Sequence, residues 1–170
     1  MPADASPSAP ADAALRARLR QTRDFGSSEQ TALLALLVAA GHLRDGAEAA
    51  CAEHALTMSQ YNILRILAGG PEEGYSRGDL ADRMVDRAPD VTRLTDRLAQ
   101  RGLLTRCRSP HDRRVCLHAV TDAGRALLAE MRAPMDAVTS QFGTHYTEEE
   151  LDQLGRLLVR LIPDPTADSG

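Results

Sequence analysis

The chain has 170 residues, 43% of them hydrophobic, and a formal net charge of -4, which suits one well-packed domain with an appendage rather than two large independent domains. Its three cysteines lack CxxC spacing and no apolar run approaches the length of a membrane span, so the sequence argues against a disulfide framework, a zinc knuckle and a transmembrane protein. The first residues have neither the basic nor the apolar region of a secretory signal, and we expect a cytoplasmic protein with no membrane partner.

The charge is distributed unevenly along the chain. Between Arg87 and Arg114, eight arginines stand against three aspartates, a local charge of +5 that leaves -9 for the remainder. An acidic body with one basic segment is typical of a protein that presents a single face to a polyanion. The alternative from charge alone is a solvated surface on which arginines cluster without function.

Several segments carry helix signals. In a capping box, Ser or Thr is followed three residues later by an acidic residue or Gln, and each side chain satisfies a backbone donor of the first turn; Ser27, Ser76 and Thr147 begin such pairs. Pro89 suits the first turn of another helix, because its missing N–H costs little there. The patterns predict helices over residues 12–23 (with Asp12 as N-cap), 27–53, 57–68, 76–85, 89–101, one long helix from 121 through Met135, and 147–162.

Two strands are predicted at the end of the basic segment, over residues 103–108 and 115–120. With the turn centred near residues 111 and 112, Cys107 and Cys116 would lie opposite each other across the hairpin, at a separation that permits a bond. Three short helices followed by a hairpin are the order of a winged helix-turn-helix. The predicted fold class is therefore mainly α with a small β-hairpin wing (α+β).

The segment TDRLAQRGLLTRCRSPHDRRVCLHAVTDAG resembles the winged helix of the multiple-antibiotic-resistance regulator (MarR) family, whose hallmark is a D-x-R wing followed by a T-x-x-G helix start. Here these residues are Asp112, Arg114, Thr121 and Gly124, and the resemblance covers roughly residues 30 to 163. It implies a homodimer that binds pseudo-palindromic operator DNA, usually as a repressor, and often releases it when a small molecule or an oxidant acts.

The resemblance also implies a domain organisation. A winged helix-turn-helix that binds DNA would be joined to helices that interlock with a second subunit. The expected divisions are a flexible N-terminal extension with a short helix at 1–26, a helical dimerisation region at 27–56 and 121–163, the DNA-binding domain at 57–120, and a disordered tail at 164–170.

The wing supplies the first candidate DNA contacts. A guanidinium is narrow and planar, so Arg114 at the hairpin tip can enter the minor groove and be held by its negative potential. Asp112 can pair with Arg114 and orient it, while Arg113 points to the other side and meets a phosphate.

The helix predicted over 89–101 would enter the major groove, where each base pair has its own donor and acceptor pattern. Thr92 and Arg93 are the candidates for base edges, whereas Asp90 repels phosphates unless it accepts from cytosine or a neighbouring arginine. Ser76, Arg77 and Gly78 can offer backbone N–H groups to a phosphate. Further phosphate contacts, which set register without reading sequence, are expected from Arg87, Arg97, Arg106 and Arg108.

An effector, where one exists, would occupy the cleft between the dimer helices and the winged domain, as the resemblance implies. An arginine there suits a small aromatic or carboxylate effector, and the alternative for each residue is an ordinary surface or core position. The candidates, chosen from helix order, are His42, Arg44, His54, Tyr61 and Arg65.

Three other classes of function are the alternatives. A thiol-based redox sensor needs an accessible thiol of low pKa, for which Cys51, Cys107 and Cys116 are the candidates. A winged-helix module that binds protein instead of DNA is compatible with the acidic overall charge. An enzyme would need a clustered nucleophile, base and orienting group or a metal set, and no such motif is present in the sequence; no cofactor or metal is expected.

Overall fold

The computed structural model describes residues 9–86, 90–112 and 114–163. Three residues singled out from the sequence, Arg87, Pro89 and Arg113, lie outside the described residues. Within the described ranges the chain is mostly helical, with one two-stranded antiparallel sheet, so the predicted fold class is confirmed. None of the described helices combines the length and the hydropathy needed to cross a bilayer.

The described residues divide into two compact units, one up to residue 45 and one from residue 46 onward. The first unit contains α1 (Ala9–Leu19) and most of α2 (Ser28–Ala52). The prediction for α1 was wrong at both ends: Asp12 lies inside the helix, and the helix stops at Leu19 because Arg20 has a φ of 53°, a left-handed conformation that ends helices.

The second unit contains the last turns of α2 and all remaining elements. Each of α3, α4 and α8 begins with a capping box, formed by Thr57, Ser76 and Thr147 with the residue three positions later. The boxes of Ser76 and Thr147 were predicted from the sequence, and that of Thr57 was not. The elements are α3 (Met58–Ala68), α4 (Arg77–Arg83), α5 (Val91–Gln100), β1 (Leu104–Arg108), β2 (Cys116–Val120), α6 (Asp122–Glu130), α7 (Arg132–Gly143) and α8 (Glu148–Val159).

The core of the second unit is aliphatic and joins α3, α4, α5 and α6. The helix α3 contributes Tyr61, Ile63, Leu64 and Leu67, all of them buried. Thr95 is the polar exception: it is fully buried, and its hydroxyl donates to the Val91 carbonyl at 2.9 Å. The largest fully buried side chains are Ile63, Leu64, Leu67, Leu80, Leu98 and Met131.

The single long helix predicted after the wing is two helices. α6 ends at Glu130 and α7 begins at Arg132, with the buried Met131 between them. The break follows from Pro134, which has no N–H to donate to the carbonyl of Glu130 and therefore interrupts the helical ladder there.

The hairpin pairs in a register one residue away from the predicted one. Cys107 lies opposite Leu117, and Arg108 lies opposite Cys116. Because opposite residues share a face and neighbours along a strand alternate, Cys107 and Cys116 project from opposite faces of the hairpin. The bond envisaged between them is therefore excluded by the register.

The base of the wing is locked to the start of α6 by Thr121 and Gly124. The Thr121 hydroxyl donates to the Gly102 carbonyl at 2.7 Å and accepts from the Gly124 N–H at 3.1 Å. The Thr121 N–H also donates to the Leu103 carbonyl at 3.2 Å. The T-x-x-G pattern thus joins the strand that enters the wing to the helix that leaves it.

Gly124 is required by this close approach. A Cβ at this position would lie 2.3 Å from the Leu103 carbonyl oxygen, so we expect Gly124→Ala to destabilise the protein by about 1–3 kcal/mol, the usual cost of overpacking. The control is Gly155→Ala in α8, where nothing lies within 4 Å and alanine should stabilise the helix by up to about 1 kcal/mol. Chemical denaturation measures both, and equal stabilities for the two variants would contradict the assignment.

Candidate nucleic-acid interface

The helix α5 has one buried and one exposed face. Val91, Thr95 and Leu98 pack inward, which turns Arg93 and Arg97 to solvent. The helix begins two residues later than predicted, because Asp90 is its N-cap and accepts from the Arg93 N–H at 3.2 Å. The carboxylate that looked unfavourable near phosphates is therefore a helix cap, which an Asp directly before an apolar helical stripe could have signalled.

The helix α4 is tied to α5 by a side-chain contact. Nη1 of Arg77 donates to the Thr92 hydroxyl at 3.1 Å, so two of the predicted DNA-contacting residues hold each other. The sequence predicted that the Ser76 N–H could bind a phosphate. In the structure it is not available, because it donates to the Asp79 carboxylate at 3.1 Å. The hydrogen bonds from Ser76 also lower the pKa of Asp79, which keeps that carboxylate charged.

On its other side, α5 is held by the wing. Arg106 of β1 forms an ion pair with Asp96 of α5, and α5 and β1 pack directly against each other. Arg106, which was expected to contact a phosphate, thus pairs with an acidic residue of α5, and both side chains remain partly exposed. Arg106 therefore links the helix α5 to the wing.

The tip of the wing is a hydrogen-bonded turn built around Asp112. Its carboxylate accepts from the backbone N–H of Arg114 at 2.9 Å, and its carbonyl accepts from the Val115 N–H at 2.9 Å. The predicted pairing thus takes a different form: Asp112 holds the backbone of Arg114 and leaves the guanidinium exposed at the tip. Arg108 is also exposed on β1, and Arg113 lies outside the described residues.

His118, which the sequence reasoning did not select, is buried behind this face with 2% exposure. Its backbone exchanges hydrogen bonds with Tyr75 at 2.8 and 3.0 Å, which form a single antiparallel bridge to the hairpin. Burial lowers the pKa of His118, and the nearby Arg106 and Arg77 act in the same direction. The imidazole is therefore neutral at pH 7 and belongs to the support of the wing.

The predicted effector residues lie in three places. Tyr61 and Arg65 line a cavity of about 550 Å³ between α3, α6 and α7, together with Arg132 and other residues. Burial raises the pKa of Tyr61. His54 is half-buried and its carbonyl accepts from Arg101. His42 and Arg44 are exposed on the part of α2 that belongs to the first unit.

The three thiols differ in accessibility. Cys51 is fully buried, and burial, followed by the charge of Glu48, raises its pKa to about 11. Its S–H donates to the Met58 sulfur at 3.9 Å. Cys107 and Cys116 are free and exposed, but they face away from each other. No group of three or more His, Cys, Asp or Glu in the described ranges could hold a metal ion.

Known proteins of one family match this chain. The MarR family model matches residues 56–116. The homoprotocatechuate degradative operon repressor of Escherichia coli is 31% identical over 109 residues, which are 64% of this chain and 72% of that protein. The crystal structure of a MarR transcription factor from Planctomyces limnophilus is 38% identical with a TM-score of 0.62, over 79% of this chain and 97% of that one.

A third similarity shows the fold alone. A MarR family transcriptional regulator from Streptomyces coelicolor, solved in complex with DNA, has a TM-score of 0.73 at 24% identity, over 86% of this chain and 94% of that one. The fold and the basic face described above are those of a winged-helix regulator of transcription. This chain belongs to the MarR family, whose matched members are regulators and not enzymes.

The environments of the thiols predict their reactivity. With a pKa of about 11, Cys51 is only about one part in a thousand thiolate at pH 8, and the thiolate is the reactive form. We expect Cys107 and Cys116 to react quickly with a thiol reagent in the native protein and Cys51 to react only after unfolding. Rapid labelling of Cys51 in the folded protein, identified by mass spectrometry, would contradict the burial.

Proposed function

We propose that this protein is a homodimeric transcriptional repressor that binds a pseudo-palindromic operator through α5 and the wing. The observation that carries the proposal is the exposed arginine face of α5, held between α4 and the wing by Arg77 with Thr92 and by Arg106 with Asp96. Contacts on both sides favour one orientation of the helix, in which its guanidinium groups can be presented to base edges. The relative from Escherichia coli that is named as an operon repressor supports repression rather than activation of transcription.

The roles of the side chains follow from their partners. Arg93, near the start of α5 and exposed, is the base-reading candidate, since recognition helices contact bases with their N-terminal residues. Thr92 is already bonded to Arg77, so these two act as a pair at the groove edge. Arg97 and Arg108 are assigned to phosphates. Arg87 and Arg113, outside the described residues, keep their sequence-based assignment to phosphates.

Arg114 is assigned to the minor groove next to the α5 half-site. The Asp112 carboxylate fixes its backbone at the tip, and the exposed guanidinium has the shape that a narrow minor groove attracts. The wing itself is anchored by the bonds of Thr121 and by the buried His118. A hairpin held at its base by such bonds has less conformational entropy to lose on insertion.

Dimerisation is proposed through residues 27–56 and 121–163. Large apolar side chains are exposed at both places: Leu33 and Leu37 of α2 in the first unit, and Leu157 and Leu161 at the C-terminal end of the second. Their exposed fractions run from 49% to 67%, which is unusual for a monomer and typical of a protein interface. A dimer would also place two α5 helices on half-sites one DNA turn apart.

Release by a small aromatic or carboxylate effector is proposed for the cavity lined by Tyr61 and Arg65. Its lining combines apolar residues, including Leu128 and Met135, with the guanidinium groups of Arg65 and Arg132 and with the Asp136 carboxylate, which pairs with Arg132. Such a mixture suits an apolar body that carries one negative group. His42, Arg44 and His54 do not line this cavity.

The DNA-binding proposal predicts a matched set of affinities. Binding to the DNA upstream of its own gene, followed by fluorescence anisotropy, should weaken steeply with salt because phosphate contacts release counterions. We expect Arg93→Ala and Arg114→Ala each to weaken binding at least tenfold, about 1.4 kcal/mol. The control is Arg18→Ala, an exposed arginine of α1, which should bind like the parent.

Two results would contradict this proposal. One is unchanged affinity in folded Arg93→Ala and Arg114→Ala variants. The other is a folded dimer without salt-dependent DNA binding, which would favour a winged-helix module that binds protein.

The dimer proposal predicts a change in mass. Leu157→Glu places a charge in the exposed apolar surface of α8, and we expect a monomer at micromolar concentration by size exclusion with light scattering. Gln153→Glu adds the same charge at an exposed position of the same helix without removing apolar surface, and should remain dimeric. A dimer of unchanged stability for Leu157→Glu would exclude α8 from the interface.

A further inference from the structure

A second cavity, of about 530 Å³, lies where the end of α2, the start of α3 and the C-terminal turn of α5 meet. It shares no lining residue with the cavity of Tyr61 and Arg65. Two alanines and Leu56 form its apolar part, and the rest is polar. The polar lining residues are Thr57, Gln60, Arg97, Gln100 and Arg101.

Gln60 is the unusual member of this lining. Its side chain is 6% exposed, and its Oε1 accepts from the Thr57 N–H at 3.0 Å as part of the α3 cap. Its amide Nε2 donates no hydrogen bond to any residue in the described ranges. A buried donor without an acceptor is unfavourable. A ligand that offers an acceptor to this amide within the cavity would therefore be stabilised.

The charges around Gln60 favour an anion. Arg101 donates to the carbonyls of Ala55 and His54 at 2.6 and 3.1 Å, which offsets the negative carbonyl end of α2. Arg97 is exposed and has no ion-pair partner among the residues that the structure describes. The Met58 N–H of the first turn of α3 is not available to a ligand, because it donates to the Glu48 carboxylate at 3.0 Å.

We propose that this cavity binds an oxyanion, a phosphate or carboxylate group, held by Nε2 of Gln60 and the guanidinium of Arg97, with Gln100 beside them. The group can come from two sources. A phosphate of the DNA backbone is one, and that arm rests on the proposed function of α5. A free phosphate or a small carboxylate is the other, and the apolar floor suits a carboxylate with a short apolar body.

The first experiment uses no DNA and tests the site alone. Sodium phosphate and sodium benzoate are titrated into the full-length protein by calorimetry, against sodium chloride at equal ionic strength. Gln60→Glu preserves the acceptor for the Thr57 N–H and replaces the free donor by a negative oxygen. Ser59→Glu adds the same charge one residue away, outside the cavity lining. We expect at least a tenfold loss of oxyanion affinity in Gln60→Glu and less than a twofold change in Ser59→Glu.

The second experiment identifies the source. If a DNA phosphate occupies the cavity, Gln60→Glu weakens binding to the upstream DNA relative to Ser59→Glu and lowers the salt slope by about one contact. If a free oxyanion is the occupant, the two variants bind that DNA equally and only the calorimetric affinity is lost. Because calorimetry needs no DNA, failure of the DNA-binding proposal and failure of this site give different results.

The proposal is overturned if the parent binds phosphate or benzoate and Gln60→Glu binds it with the same affinity. It is also overturned if neither phosphate nor benzoate binds the parent while both variants share the same DNA affinity and salt slope. Circular dichroism and thermal unfolding check that Gln60→Glu folds. Should it not fold, Gln100→Glu, at an exposed position in the same lining, replaces it with the same expected and contrary results.

Discussion

The junction between Thr121 and the Gly102–Leu103 turn is the contact on which the DNA-facing surface depends. One hydroxyl both donates to a carbonyl before the wing and caps the helix after it, and Gly124 permits the approach because it has no Cβ. The hairpin therefore leaves and re-enters the core at a fixed place. This junction therefore determines the position of the residues at the tip of the wing, including Arg114.

The contacts that the acidic residues make determine the structure of the basic face more than its net positive charge does. Asp90 caps α5, Asp96 pairs with Arg106, and Asp112 holds the backbone of the wing tip. Each acidic residue between Arg87 and Arg114 thus has a structural partner, and none stands as an isolated negative charge in the basic segment. The arginines that remain exposed on α5 and at the tip are the ones available to a polyanion.

Local signals made much of this structure predictable. The capping boxes at Ser76 and Thr147 marked their helices correctly because a cap is decided by residues three apart. The break at Met131 was equally local, yet the apolar stripe masked the effect of Pro134. The hairpin register and the burial of His118 depend on tertiary contacts, notably the bridge to Tyr75, and a sequence pattern of period two cannot fix either of them.

The candidate site was predictable in outline for the same reason. A basic helix and a basic hairpin can be read from composition, whereas the partner of each arginine is set by packing. Arg106 shows the difference: its sequence context indicates a phosphate contact, and the fold gives it Asp96. The domain boundaries and the individual DNA contacts remain predictions.

The two hydrogen bonds of Arg101 have a mechanical consequence. They attach the residue that ends α5 to the carbonyls of His54 and Ala55 in the turn that ends α2. A rotation or translation of the last turn of α2 must therefore either move the C-terminal end of α5 with it or break both hydrogen bonds. A lysine at this position would hold the turn less firmly, because its ammonium is a point charge on a flexible side chain. Only a guanidinium offers a rigid, planar set of donors that can couple the movement of the two helices.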